Sequence, residues 1–279
     1  MDWSKAKSIL IVMLLLLNIF LLVSIGFYKL EDGISRETVS NTIKILSSRG
    51  VTVNVDIPLY NRYTPSLICE GGSYDAADIS ARLLGKDFIL PPGIDDGEEV
   101  INGSKKIKFS NNRSSFVYSN SSPSETLKVD NIKSAENAAR DYIDSLGIDS
   151  EKFVLDIYVK NPDATYTLTF IEKYKKFLVF DNYIEITLGK NGVIYLESHS
   201  RKIKGFNANA MPIMPAYQIL LKNYSGYENI TITGIDIGFK GYITGEQDMR
   251  ESSEGPAWRV TAEGGKVRYF KATDGEEIR

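Results

Sequence analysis

Hydrophobic and polar positions split this chain into two unequal parts. From Ser8 to Tyr28 there are 21 consecutive residues without a charge, and no second run of that length follows residue 30. A helix rises ~1.5 Å per residue, so about 20 apolar residues cross the ~30 Å hydrocarbon layer. The pattern predicts a transmembrane helix over 8–28, behind a short tail, 1–7, and ahead of a large water-facing part. Lys5 and Lys7 favour a cytoplasmic tail, although Lys29 and Arg36 lie just past the span. A cleaved secretory leader has an apolar run of about 7–15 residues and an A-x-A-like site. Here the run is longer, and its one small-x-small triplet near the end is Ser24-Ile25-Gly26. An uncleaved anchor is the expectation.

Past the anchor the apolar spacing changes. Ser35 caps a predicted helix that Gly50 ends, with Val39, Ile43 and Leu46 on one face. VTVNVDI (51–57) alternates like a strand, and PSLICEG (65–71) reads as its partner. Asp75 to Leu84 fits a second helix, with Ile79 and Leu83 inward and Gly85 as its stop. Strands follow near 98–102, 105–110 and 116–119. SNSSPSETLK (119–128) lacks apolar periodicity and reads as a linker. The order then repeats. A helix after Ser134 carries Ala135, Ala138, Tyr142 and Leu146 on one face. Close-spaced strands follow, with Asp181-Asn182 and 189–192 as their turns. Pro215 opens a helix to about Asn223; NITITGIDIGF (229–239) and two strands around Gly264-Gly265 close the chain. One helix, then strands on short turns, recurs four times. The expected fold is α+β: two helix-plus-antiparallel-sheet domains, 31–128 and 129–279.

Composition narrows the function. The 33 basic and 36 acidic side chains are interspersed, for a net charge of −3, so there is no basic footprint for nucleic acid. Cys69 is the single cysteine and cannot form an internal disulfide, which for an external domain points to a bacterial surface. The five N-x-S/T triplets are what chance allows in a chain rich in Asn and Ser. A single His, His199, excludes sites needing two imidazoles and is expected to be structural. No G-x-S-x-G, P-loop or G-x-G-x-x-G is present, so no cofactor is implied. Cys69 sits in an apolar strand and reads as a buried, inert thiol. Asp95-Asp96-Gly97-Glu98-Glu99 misses the spacing of a calcium loop and reads as a solvated turn; no metal site is expected. Paired catalytic carboxylates need no fixed spacing, so a tethered wall enzyme stays open as a rival, as does a wall-binding module.

The anchor holds the most suggestive residue. Asn18 lies near the middle of the hydrocarbon, where an amide needs a partner. An interhelical hydrogen bond there contributes roughly 0.6–2 kcal/mol. Ile11, Leu15, Asn18, Leu22 and Ile25 repeat at 4-3-4-3 spacing, and Gly26 follows on the same side, which would allow a second helix to approach. The competing expectation is that Asn18 bonds its own backbone while the stripe faces lipid. Trp258, Tyr269 and Phe270 are candidate contacts outside the membrane, although large aromatics on strands usually pack inward.

MDWSKAKSILIVMLLLLNIFLL, where Met-Asp-Trp-Ser-Lys runs straight into an apolar span containing Asn18, resembles the start of the YycI family. KYKKFLVFDNYIEITLGKNGVIYLESHSRKI resembles that family's strand-rich central segment, and PAWRVTAEGGKVRYFKATDGEE its closing hairpin, which is also similar to the end of PepSY-type domains. The resemblance covers the anchor and much of 131–279; residues 31–128 are less distinctive. It implies PepSY-like or YycH-like domains outside the membrane of a Gram-positive cell and a non-enzymatic role. It further implies association with a YycH-like protein and with the sensor histidine kinase of the Yyc (Wal) two-component system. No catalytic residue is implied.

Overall fold

The computed structural model of the protein describes residues 3–31, 35–60, 62–71, 74–86, 88–91, 96–226, 229–241 and 251–278; the side chains of 4–6, 8, 9, 23–31, 251 and 252 fall outside that description. Helix α1 (Trp3–Glu31) takes in the whole charge-free run. Next come α2 (Arg36–Ser47), β1 (Val51–Val53), β2 (Thr64–Glu70) and α3 (Ala76–Leu84), then β3 (Glu99–Asn102), β4 (Lys105–Ser110) and β5 (Ser115–Asn120). After 119–128 follow α4 (Ile132–Ser145), β6 (Phe153–Lys160), β7 (Tyr166–Tyr174), β8 (Phe177–Gly189), β9 (Gly192–His199) and β10 (Lys202–Met211). The chain closes with α5 (Ala216–Tyr224), β11 (Ile230–Gly241), β12 (Glu251–Ala262), β13 (Lys266–Lys271) and β14 (Glu277–Ile278).

Local chemistry sets the helix starts. Ser35 accepts the Thr38 amide at 3.0 Å, and Asp75 accepts two amides at the head of α3. The α4 start differs from expectation. Asn131 is the cap and Ser134 reaches back to its amide, so two otherwise orphaned donors are satisfied reciprocally.

The 14 described strands belong to one sheet, antiparallel except where β11 meets β1 and β8. It works as two halves, each with helices on one face. In the first, α3 and α4 cover the run β3-β4-β5-β9-β8-β7-β6 around Phe116, Ile143, Leu168 and Phe170. In the second, α2 and α5 cover β1, β11, β12 and β13 around Leu46, Ile219, Leu220, Trp258 and Phe270. The segment 119–128 separates stretches of sequence rather than stretches of core. The first core joins Ile79 to Leu196, and the second joins Leu46 to Ala272.

Two strand expectations give way to tertiary structure, and one strand was not expected. VTVNVDI does not pair with PSLICEG. β1 lies parallel to β11, while β2 sits between β10 and β12. The apolar face of α2 packs into the second core with α5, and that carries β1 to the β11 side. Asp181-Asn182 is not a turn. β8 runs through it as a bulge, the register with β7 shifting between Ile171 and Glu172, and the turn falls at Lys175-Lys176. β10 had no clear signal in its sequence, KIKGFNANAM, which lacks apolar alternation.

The halves meet where β11 crosses onto β8, pairing Gly238 with Leu178 and Phe239 with Val179. A Cβ at Gly238 would press into the Leu178 carbonyl oxygen and come within 2.8 Å of the Phe180 ring. Arg259 on β12 fastens the same crossing. Its guanidinium holds Asp156 of β6 at 2.6 and 2.7 Å and Asp236 of β11 at 2.8 Å, and it covers the Phe180 ring. Gly238→Ala is therefore expected to destabilise the fold by about 1–3 kcal/mol, the range for overpacking a tight site. Urea unfolding followed by circular dichroism checks this, and an unchanged midpoint would contradict so close a crossing.

Candidate functional site

Two features are the strongest candidates, the exposed face of α1 and a buried polar cluster at the sheet crossing. On α1 the side chains of Ile11, Leu15 and Leu22 are 61%, 56% and 70% exposed, so none is covered by the rest of the described chain. Helical spacing lines them up with Asn18. The Asn18 amide nitrogen donates to the Leu14 carbonyl at 2.8 Å, one turn back, as the competing expectation had it. That bond uses one donor, and the Asn18 side-chain oxygen keeps its acceptor capacity. Ile25 and Gly26 lie outside the residues whose side chains are described. Among the described residues no helix is long and apolar enough to cross a membrane, the continuous described side chains of α1 being Leu10 to Leu22.

The aromatic candidates separate. Trp258 and Phe270 are fully buried in the second core, with the Trp258 indole donating to the Met214 carbonyl at 2.8 Å. Tyr269 stands on the opposite face, tilted against Phe180 at 5.1 Å, and keeps part of its surface. Core packing therefore withdraws Trp258 and Phe270 from any partner's reach.

The polar cluster grows from the β8 bulge. Asp181 accepts from the Lys240 ammonium at 2.6 Å and from the Gly241 amide at 2.7 Å. Asn182, fully buried, donates to Glu172 and to the Arg201 carbonyl and accepts from the Arg201 amide. Glu254 on β12 is also fully buried. Among the described residues neither of its oxygens accepts an N–H or O–H hydrogen bond; the Arg201 guanidinium lies at 3.5 Å and the Cys69 thiol is also close. Burial raises the Glu254 carboxyl from its ordinary 4.5 to about 7, the nearby Asp181 charge adding to the rise and Arg201 opposing it. Burial likewise raises Glu172.

This arrangement is poor in reactive groups. Burial and the Glu254 charge push the Cys69 thiol far up, which disfavours the nucleophilic thiolate. Burial lowers His199, whose Nδ1 lies against the Asp181 carbonyl; a carbonyl only accepts, so that nitrogen carries the proton. A groove of about 350 Å³ lies between α3, the end of α4 and β7, lined by Tyr74, Asp78, Lys152, Glu172 and Ser200 among others. Its carboxylates are engaged: Asp75 caps α3, Asp78 bonds Arg82 and Asp149 lies 3.6 Å from Lys152. In the acidic loop, Asp95 lies outside the described residues and Asp96 accepts the Asn112 amide. Among the described residues no group of three or more His, Cys, Asp or Glu side chains could hold a metal ion. Sequence reasoning missed the polar cluster because its members, Cys69, Asp181, Arg201, Lys240 and Glu254, share no motif and meet only through the sheet order.

Comparison with known proteins adds a family and a fold. A family model described as YycI protein matches residues 31–273. No curated protein matches. Among solved structures, an uncharacterized protein from Eubacterium rectale ATCC 33656 is similar with a TM-score of 0.53 at 12% identity, over 86% of this chain and 98% of that one. At that identity the likeness is one of fold. YycH from Bacillus subtilis gives a TM-score of 0.43 at 12% identity over 77% of this chain and 52% of that one. The Bacillus megaterium YpeB C-terminal domain gives 0.40 at 12% identity, over 75% and 97% respectively.

The raised Glu254 carboxyl has a consequence for stability. Between pH 4.5 and about 7 the folded chain holds a proton there that the unfolded chain has released. The Glu254 contribution to stability then falls as pH rises through that window and levels off above it, while the lowered His199 contributes in the opposite sense. Glu254→Gln, neutral at every pH, is expected to flatten this slope and to be the more stable form above pH 7, by up to about 3 kcal/mol. Unfolding midpoints of both chains between pH 4.5 and 8 check the sign.

Proposed function

This chain belongs to the YycI family, and from that premise we propose that it is a non-enzymatic membrane regulator of a cell-wall-sensing histidine kinase of the Yyc (Wal) system. It acts together with a YycH-like protein. In this reading residues 1–7 are cytoplasmic, 8–28 span the membrane and 31–279 are extracellular. The family match carries the proposal. The exposed apolar face of α1 supports it, because a helix whose Ile11, Leu15 and Leu22 stay largely exposed in the described chain is suited to lipid and to another helix.

The mechanism is a shift of population. An accessory helix that binds one signalling state of the kinase better than the other moves their equilibrium by the difference in affinity, and ~1.4 kcal/mol is already a factor of ten. Asn18 is the specificity element of the stripe. One of its two amide donors is held by the Leu14 carbonyl, while its oxygen can accept a donor from the neighbouring helix. Ile25 and Gly26 extend the proposed contact. Outside the membrane Tyr269 contributes, while Trp258 and Phe270 act through the core that positions it.

The test is co-purification of the kinase with the full chain from detergent. The double variant Asn18→Leu, Leu22→Ala is expected to retain at most a tenth of the kinase, a loss of ~1.4 kcal/mol. Full retention would remove the helix from the contact.

A further inference from the structure

The first half of the sheet has a face that no helix covers among the described residues, since α3 and α4 both pack on its other side. Strand alternation and register give that face its content. Val117, Glu197, Glu185, Thr169 and Ile157 stand side by side across β5, β9, β8, β7 and β6. At its centre two carboxylates face each other directly, an arrangement that destabilises a sheet unless something positive lies between them. Glu197 is held in place, one oxygen accepting from the Tyr183 hydroxyl and the other from the Tyr195 hydroxyl. Glu185 faces it with its carboxyl raised by burial and by the Glu197 charge. Neither has an ion-pair partner among the described residues, and Lys108 in the same row lies beyond Val117.

The apolar rim of this face lies on β6, which pairs only with β7 among the described strands. Ile157 closes the carboxylate row and Val159 the row of Tyr195; they are 38% and 51% exposed. A charged centre between tyrosines, with uncovered aliphatic groups at one side, matches a definite partner chemistry.

We propose that this face docks a segment of a partner protein that sets an arginine between Glu185 and Glu197 and lays apolar side chains on Ile157 and Val159. Guanidinium suits the site better than ammonium. Its planar fork bonds carboxylates in two directions at once, and its faces stack on tyrosine rings such as Tyr183 and Tyr195. Bound arginine would also remove the like-charge cost that the free sheet carries. The inference does not rest on the helix contact, because it uses only the sheet face.

The experiment uses the full chain in detergent and a fluorescent peptide with one arginine flanked by valines, compared with the same peptide carrying neutral citrulline. The arginine peptide is expected to bind at least tenfold more tightly. Glu185→Gln should abolish that difference without lowering the unfolding midpoint, since it relieves a repulsion. Ile157→Ser should weaken both peptides. Asp141→Asn, at an exposed carboxylate of α4, should leave the preference unchanged. Equal binding of the two peptides, or an equal loss in Asp141→Asn, overturns the proposal.

Discussion

The crossing of β11 over β8 at Gly238 and Leu178 joins what would otherwise be two helix-covered sheets. β8 is the shared member. Its first residues meet β11, and its remainder pairs with β7 and β9 in the first half. The backbones come so close that the position tolerates no Cβ without a shift of Leu178 or Phe180. Each core is ordinary in its packing, with Phe116 and Phe170 under α3 and α4, and Trp258 and Phe270 under α2 and α5. Their relative placement is held by this crossing, by the close approach at Gly238 and by the Arg259 bridge to Asp156 and Asp236.

Charge is buried at this junction because the strands that meet there bring it. Arg259 lies between Asp156 and Asp236, and each of its partners comes from a different strand. Removing one member of such a set leaves an uncompensated buried charge, a larger loss than the set's net contribution. Glu254 is the opposite case. Its oxygens lack strong donors among the described residues, and burial raises its carboxyl to about 7. A seam with one well-satisfied network and one poorly satisfied carboxylate is stable, yet sensitive to pH on one side.

The proposed regulatory role uses the two ends of this architecture differently. A helix with an exposed apolar face can report only by binding another helix, and its influence is limited to its differential affinity for the partner's states. The sheet halves present a much larger surface, on which polar groups can select a partner by charge. Neither role calls for a reactive group, and the chain's His and Cys are both turned to structure: His199 stacks on Tyr183, and Cys69 sits in the seam.

Local pattern specified the elements well. The charge-free run, Ser35 as a cap, the helix from Asp75 to Leu84, and the alternation in YIEITLG and GVIYLES are short-range signals, each decided within a few turns or one hairpin. The α+β class and antiparallel sheet follow from them, and so does the YycI resemblance of the leader and the closing hairpin. Other assignments were decided only when distant segments met. Asp181-Asn182 has the chemistry of a turn, yet it became a bulge because Lys240, Gly241 and Arg201 supply partners from far along the chain. VTV found β11 instead of PSLICEG because α2 carried it there. The facing of Glu185 and Glu197 depends on register, which alternation alone leaves open to slippage by a whole pair. The sequence by itself determined what each segment would become, since that depends on neighbours a few residues away. Only the tertiary structure decided which segments share a core and which charges share a seam, since those contacts join residues tens to hundreds of positions apart.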